Sequence, residues 1–559
     1  MPHHISTADL PPLPKAPVIS LPSTIDPPRK KDQLWSVFRS LEADLHKFQA
    51  KSTNLKVNVI RSSLLPFLSR YASHPSLNSL RPEDLDRRVN ILNKWWTALL
   101  AMLHGRNHQS VSGTDRPAYL EAMTGIMVRM EWQTPYQPHV FSATSSKSSL
   151  ESSSDDFLVE SIYHNVRNIY NQNLLSQMSF VVDRMSVKQA PASLVIFCGQ
   201  ACAYAFYFCP GIADMLVRLW NIPADILRRI FTDPSIHKGL GVRSISRDLA
   251  VGFPLPVRPL AFASHAAVAK YFRQPLNLPL SAVQIQWHGP WVSRWCGRDS
   301  DLFFVFVKHF HILHCNFLSA RTEYSQRIFA PGMPLVQGQL LVVLEDTIYR
   351  QSSSQMPENN ASSSVTFDDL MGGPDAAMSA LPLGGANCQR TMTENRLITL
   401  LRDLLSDPSP NLEQARRSYT DTFMRTLKSA ARRISLFDHN ACFILCDFVE
   451  EAAPLVNRYS RKIMEDVFDW PFWVDVCKQM TRSQNSLTEV RLFAFVFSIW
   501  KTWTSDPNRH RELCELFLLN DEYFYHYFSH WSPMVRAYFH RLLCWRVARF
   551  NEYPTPVDS

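Results

Sequence analysis

Three features of the sequence predict an all-α protein whose helical hairpins stack as an armadillo- or HEAT-like α-solenoid. Apolar residues recur at three- and four-residue steps through most of the chain, the spacing that lines one face of a helix. Only 16 of 559 residues are glycine, too few for the tight turns of barrels or nucleotide-binding α/β folds. Val490-Arg491, followed by Phe493, Val496 and Phe497, is echoed by Val535-Arg536, followed by Tyr538, Phe539, Leu542 and Leu543. The two pairs lie 45 residues apart (535 − 490), within the period of HEAT and armadillo repeats.

Residues 1–32 are Pro/Ser-rich and read as a disordered tail, since they offer too little apolar surface to offset ordering. Leu10-Pro11-Pro12-Leu13-Pro14 has the composition of a polyproline segment. Residues 33–350 form an N-terminal helical region. Leu34, Trp35, Phe38 and Leu41 open the first helix, and Val57, Ile60, Leu64, Leu65 and Leu68 mark a second. Arg87 to Trp132 then reads as a tryptophan hairpin. Leu92, Trp95, Trp96, Leu99, Leu100 and Leu103 share one stripe, with Pro82, Glu83 and Asp84 suiting its first turn and Gly105 its end. The return helix starts at Asp115 and Pro117 and carries Tyr119, Met123, Ile126 and Met127. A tryptophan pair inside a leucine stripe is expected in a core rather than on a partner.

The serine-dense stretch 142–156 is expected to be a loop open to phosphorylation. Ala192 to Cys209 (ASLVIFCGQACAYAFYFC) is apolar enough to raise a membrane span, yet shorter than the ~20 residues a bilayer requires, and a helix buried on all sides has the same signature. From Asn221 to Gln286, prolines and glycines allow only short helices such as Pro223 to Phe231. Phe303 to Phe317 is a hydrophobic helix, and Leu335 to Tyr349 reads as a helix or a strand pair. Residues 351–390, rich in Ser, Asn, Gly and Pro, read as a disordered insertion whose deletion should cost little stability. Residues 391–552 are the most regular part, a C-terminal helical-repeat region with turns at Asp407-Pro408, Asp506-Pro507 and Ser532-Pro533.

A formal charge of +8, scattered in pairs such as Arg228-Arg229 and Arg432-Arg433, lacks the concentrated basic face that nucleic acid requires. A weak attraction to anionic membrane surfaces is compatible with it. The 11 cysteines have no paired spacing and follow no continuous apolar leader, so a reducing, cytoplasmic setting is expected.

The run NILNKWWTALLAML, followed by GRNHQSVSGTDRPAYLEAMTGIM and ending in EW, resembles the opening of a family of uncharacterised fungal proteins, a domain of unknown function. Some members of that family are classed from hydropathy as membrane proteins. VIFCGQACAYAFYFCPGIADMLVRLW, Val195 to Trp220, is similar to the family's central segment. The resemblance extends from about Gln33 to Phe550 and implies no catalytic residues, because the family has none to carry over.

The residues point to no reaction either. There is no GxSxG elbow, P-loop, GxGxxG, HExxH or paired CxxC. His309, His311, His314 and Cys315 are zinc-ligand types, but on a helix His309 faces away from the other three and no second ligand pair lies nearby. The expected function is therefore a non-enzymatic helical scaffold or adaptor with protein partners, no cofactor and no metal. A membrane protein, through a span at 192–209 or peripheral contact of aromatic helices, is the alternative. An enzyme of unrecognised type, built on the His309–Cys315 helix, is the third.

Overall fold

The computed structural model describes residues 32–76, 80–104, 114–133, 152–239, 241–319, 321–354 and 392–548. Among these residues every regular element is helical. Most of the tail 1–32, most of the stretch 142–156 and most of the insertion 351–390 lie outside them, as does the polar turn of the tryptophan hairpin.

The chain begins with α1 (Trp35–Ala50), followed by α2 (Thr53–Val59), which continues through a π turn at Ile60–Leu64 into Leu65–Arg70. The tryptophan hairpin is α3 (Pro82–His104) and α4 (Arg116–Met127). Trp95 and Trp96 are fully buried. Trp95 Nε1 donates to the Leu41 carbonyl at 3.0 Å, locking α3 to α1. Trp96 meets the Trp132 and Tyr170 rings at 5.6 and 5.9 Å, and Tyr170 lies on α5 (Ser152–Met185). The tryptophans are core.

Two boundaries shift from the sequence reading. Asp32, placed in the tail, belongs to the fold: its carboxylate accepts from Arg88 Nε at 2.9 Å and pairs with the same guanidinium's Nη2. Residues 152–156, placed in the loop, form the first turn of α5, where small polar and acidic residues suit a helix start.

α6 (Ala192–Phe208) is the centre of the N-terminal half. It packs against α4, α5, α7 (Ile212–Trp220) and α11 (Leu302–Phe317), and the side chains from Phe197 to Phe208 are buried. Seventeen residues rise about 25 Å, short of the ~30 Å hydrocarbon core, and no helix of the described residues is long and apolar enough to cross a membrane. Of the two readings of 192–209, a membrane span and a helix buried on all sides, the structure has the buried core helix. Hydropathy is the same in both cases, and only the neighbours distinguish them.

The proline-rich stretch forms short helices: α8 (Ala224–Thr232), α9 (Val242–Val251) and α10 (His265–Phe272). Leu335 to Tyr349 falls within a single helix, α12 (Met333–Ser354), not a strand pair. After the insertion come α13 (Arg396–Ser406), α14 (Glu413–Ala431), α15 (His439–Ile463), α16 (Trp470–Thr481) and α17 (Ser486–Trp503). The last are α18 (Pro507–Leu513), α19 (Asp521–Phe528) and α20 (Pro533–Leu542), which runs into a π turn at Leu543–Val547.

Long helices pack in succession: α3 on α5, α5 on α6, α6 on α11, α11 on α14, α14 on α12, α12 on α15, α15 on α17 and α17 on α20. The two Val-Arg helices, α17 and α20, are thus direct neighbours. Their arginines do different work. Arg491 is buried between Asp447 and Glu450, whereas Arg536 bonds the carbonyls of His530 and Trp531.

Candidate functional site

The helix with the candidate ligands, α11, uses its histidines as internal pins. His311 and His314 are fully buried. His311 Nδ1 lies 3.1 Å from the Ser418 hydroxyl of α14, and His314 Nδ1 lies 3.1 Å from the Tyr207 hydroxyl of α6. Burial holds His311 down to about 3 and His314 well below the usual histidine range, so both rings are neutral. Their Nε2 atoms have no hydrogen-bond partner in the structure. Aromatic rings seal the pocket around His314, Phe253 at 4.8 Å and Phe310 at 5.3 Å. Cys315 is pushed up to about 11 by burial, so it is a thiol at neutral pH rather than a nucleophile. His309 is partly exposed and does not join them. The four residues do not form a ligand set.

Two other features stand out, both in the C-terminal region. The first is a groove of 340 Å³ between the end of α14, the start of α15 and one face of α16. Ile434, Leu436, Leu445, Phe472, Val476 and Met480 make it apolar, with Arg432, Asp475 and Gln479 among its lining residues. Helix caps shape it: Asp438 accepts from the Ala441 N–H to start α15, and Asp469 accepts from the Phe472 N–H to start α16. Lys428 Nζ bonds Asp469 at 2.9 Å and ties α14 to α16. Arg432 lies over the Phe472 ring at 5.2 Å and faces Asp233 at 3.6 Å. Phe437, in the connection beside the groove, is 80% exposed.

The second is the end of the stack. Glu489 of α17 is buried; its Oε1 accepts from the Tyr527 hydroxyl at 3.3 Å, and its Oε2 faces His530 Nε2 at 3.5 Å. With His526 these residues bring three potential metal-ligand atoms within 4.8 Å of one another. The Ser532 N–H, however, donates to His530 Nδ1 at 3.2 Å. A neutral ring whose Nδ1 accepts must carry its proton on Nε2, the atom turned to Glu489, so that nitrogen has no lone pair for a cation. Glu489, with Tyr527 and His530, instead clamps the end of α19 to α17. Burial pushes the Glu489 carboxyl up and the His530 ring down, each toward its neutral form.

Around this clamp Phe493 packs on Tyr527 at 4.8 Å and on Phe539 at 5.2 Å. Farther out, Tyr525, Phe528 and Trp531 are 67%, 50% and 77% exposed. From Tyr523 to Ala548 the chain has no Asp or Glu, but it has Arg536, Arg541, Arg546, His526, His530 and His540. The sequence reading missed both features. A carboxylate-free run is legible in the sequence, whereas the exposure of its aromatics is not.

The fold and these surfaces define an all-helical protein of layered hairpins. Its C-terminal residues 423–547, which hold most of the groove and nearly all of the aromatic end, match a family described as a protein of unknown function, DUF1765. The chain is also 24% identical over 509 residues to a UPF0592 membrane protein of the fission yeast Schizosaccharomyces pombe, an alignment covering 89% of this chain and 51% of the yeast protein. The resemblance to an uncharacterised fungal family thus holds. The chain spans about half the length of that relative. No solved structure matches.

Proposed function

We propose that the chain is a non-enzymatic helical scaffold that holds a partner protein in the groove between α14, α15 and α16. The observation that carries this reading is the groove itself. Apolar side chains line a surface opening of 340 Å³, and a concave face between stacked helices is the usual docking place of helical arrays. A peptide presenting apolar residues at helical spacing fits such a surface. A photo-crosslinker at Gln479 in the full chain, expressed in its native cells, should capture a defined protein. The double variant Phe472→Ser, Val476→Asp should abolish that capture while the melting temperature and far-ultraviolet spectrum stay near wild type. Undiminished capture by the folded double variant would overturn the groove assignment.

A second reading, peripheral contact with a membrane surface, is favoured by the similarity to a yeast protein named as a membrane protein together with the exposed aromatics on α19. It requires no spanning helix. Alkaline carbonate should release the protein from membranes; resistance to carbonate would sink the peripheral reading and call for an anchor outside the described residues.

A further inference from the structure

We infer that Ser435, at the rim of the groove between α14, α15 and α16, is the phosphoacceptor of an arginine-directed serine kinase and that its phosphate shuts the groove, an inference that rests on the groove reading. The chain has four arginine pairs, Arg87-Arg88, Arg228-Arg229, Arg416-Arg417 and Arg432-Arg433, and only the last is followed two residues on by a serine or threonine. Arg432-Arg433-Ile434-Ser435-Leu436 sets guanidiniums three and two residues before a hydroxyl and an apolar side chain directly after it. Kinases that select basic substrates read that charge pattern.

The fold presents the pattern to solvent. Ser435 is exposed and lies outside any helix, in the connection 432–438 between the end of α14 at Ala431 and the start of α15 at His439. Its Oγ accepts the Phe437 N–H at 3.3 Å and donates to no described residue, which leaves the hydroxyl available for transfer. The connection is held by turn bonds, such as Asp438 N–H to the Ser435 carbonyl at 3.0 Å, which open without unfolding either helix. Arg432 meets Asp233 at 3.6 Å, beyond hydrogen-bond length, and Arg433 pairs with Asp225 at 2.7 Å. Both guanidiniums are half-exposed, so a kinase's carboxylates reach them.

In the transfer, Ser435 Oγ bonds to the γ-phosphorus of ATP as the bond from that phosphorus to the departing oxygen of ADP breaks. ADP leaves, and the hydroxyl proton passes to the kinase's catalytic Asp. The phosphate carries about −1.5 to −2 charges at neutral pH. Ile434 and Leu436, on either side of Ser435, both line the groove, as does Asp475. Arg432 and Arg433 already face Asp233, Asp225 and Glu345, and Asp438, three residues on, caps α15. The phosphate thus adds unbalanced negative charge at an apolar rim, where a docked peptide would have to desolvate it.

The test treats the purified full chain with MgATP and the catalytic subunit of cyclic-AMP-dependent protein kinase, an arginine-directed enzyme, and locates phosphate by tandem mass spectrometry. Wild type should take phosphate at Ser435 and Ser435→Ala should take none on that peptide. Arg432→Gln should be phosphorylated about tenfold more slowly. The same phosphopeptide should be present in the chain isolated from its native cells with phosphatase inhibitors. Absence of phosphate from Ser435 in either preparation would overturn the site and leave the groove reading untouched. The photo-crosslinker at Gln479 then reads the groove. Kinase-treated wild type, added to a native-cell lysate, should capture about tenfold less partner than untreated wild type, whereas kinase-treated Ser435→Ala should capture as much as the untreated chain. If the phosphorylated chain captures as much as the unphosphorylated one, the switch is wrong while the groove reading stands. If the untreated chain captures nothing, the groove reading fails and the switch falls with it, and the mass spectrum alone decides the site.

Discussion

At the scale of single residues, the fold joins a few buried charges that the sequence places far apart. Arg88 is fully buried on α3. It is held by Asp32, by the Ser76 hydroxyl at 3.0 Å and by Glu131 at 3.5 Å, and Glu131 is itself bonded by Arg129 at 2.6 Å. Removing one partner of such a network strands the others without solvent. Arg88→Met should therefore cost ~3–5 kcal/mol in urea denaturation; a loss below about 1 kcal/mol would show the network to be dispensable. The same site sets an acid dependence. Burial works to raise the Asp32 carboxyl, but the Arg88 hydrogen bond, the Leu34 N–H and the nearby charges win and hold it below its ordinary value. A depressed folded-state pKa adds stability above the unfolded value near 4 and loses it as pH falls through the folded value. Wild type should lose this increment below about pH 4, and Asp32→Asn, less stable at neutral pH, should show a flatter acid limb in the same titration.

At the scale of elements, the crossing of α6 and α11 sets the core, and one glycine permits it. A Cβ at Gly199 would stand 2.7 Å from Val305 Cβ and 2.8 Å from the Leu302 carbonyl oxygen. Neither atom is the loose end of a flexible side chain, so the helices would have to part. Gly199→Ala, which raises helix propensity by ~1 kcal/mol in an exposed helix, should here destabilise by ~1–3 kcal/mol. Thermal melts would show a lower midpoint, and a rise would contradict the close approach. A glycine inside an apolar helix signals close packing, but its partner helix, about a hundred residues on, is invisible in the local pattern. The histidines of α11 illustrate the same point. Their spacing showed that His309 and His311 lie on different faces, while the burial of His311 and His314 against Ser418 and Tyr207 depends on α14 and α6.

At the scale of the whole molecule, the regions before and after the insertion share a core. Arg229 pairs with Glu345 at 2.6 Å and donates to the Ser429 carbonyl at 2.7 Å, while Arg433 pairs with Asp225 at 2.7 Å. The Thr422 hydroxyl contacts the Met333 sulfur at 3.9 Å in the apolar layer between α12 and α14. Fragments 33–350 and 391–552 expressed separately should aggregate, because each would expose this layer. A soluble 391–552 fragment with a cooperative melt would show that the C-terminal helices form a core of their own.

Helix identity was written in the sequence because periodic apolar positions and caps are local properties: the tryptophan hairpin, the apolar helix at 192 and the helices from α13 to α20 could be read directly. The burial of Trp95 and Trp96 also followed, since no other place suits two indoles in a leucine stripe. Tertiary structure decided the rest. The helix at 192–208 has the hydropathy of a short span, and only its enclosure by α4, α5, α7 and α11 makes it core. The groove beside α16 and the exposed rings of α19 are likewise properties of neighbours. A side chain's periodicity fixes which face it occupies, but whether that face meets protein, solvent or lipid depends on residues distant in the chain.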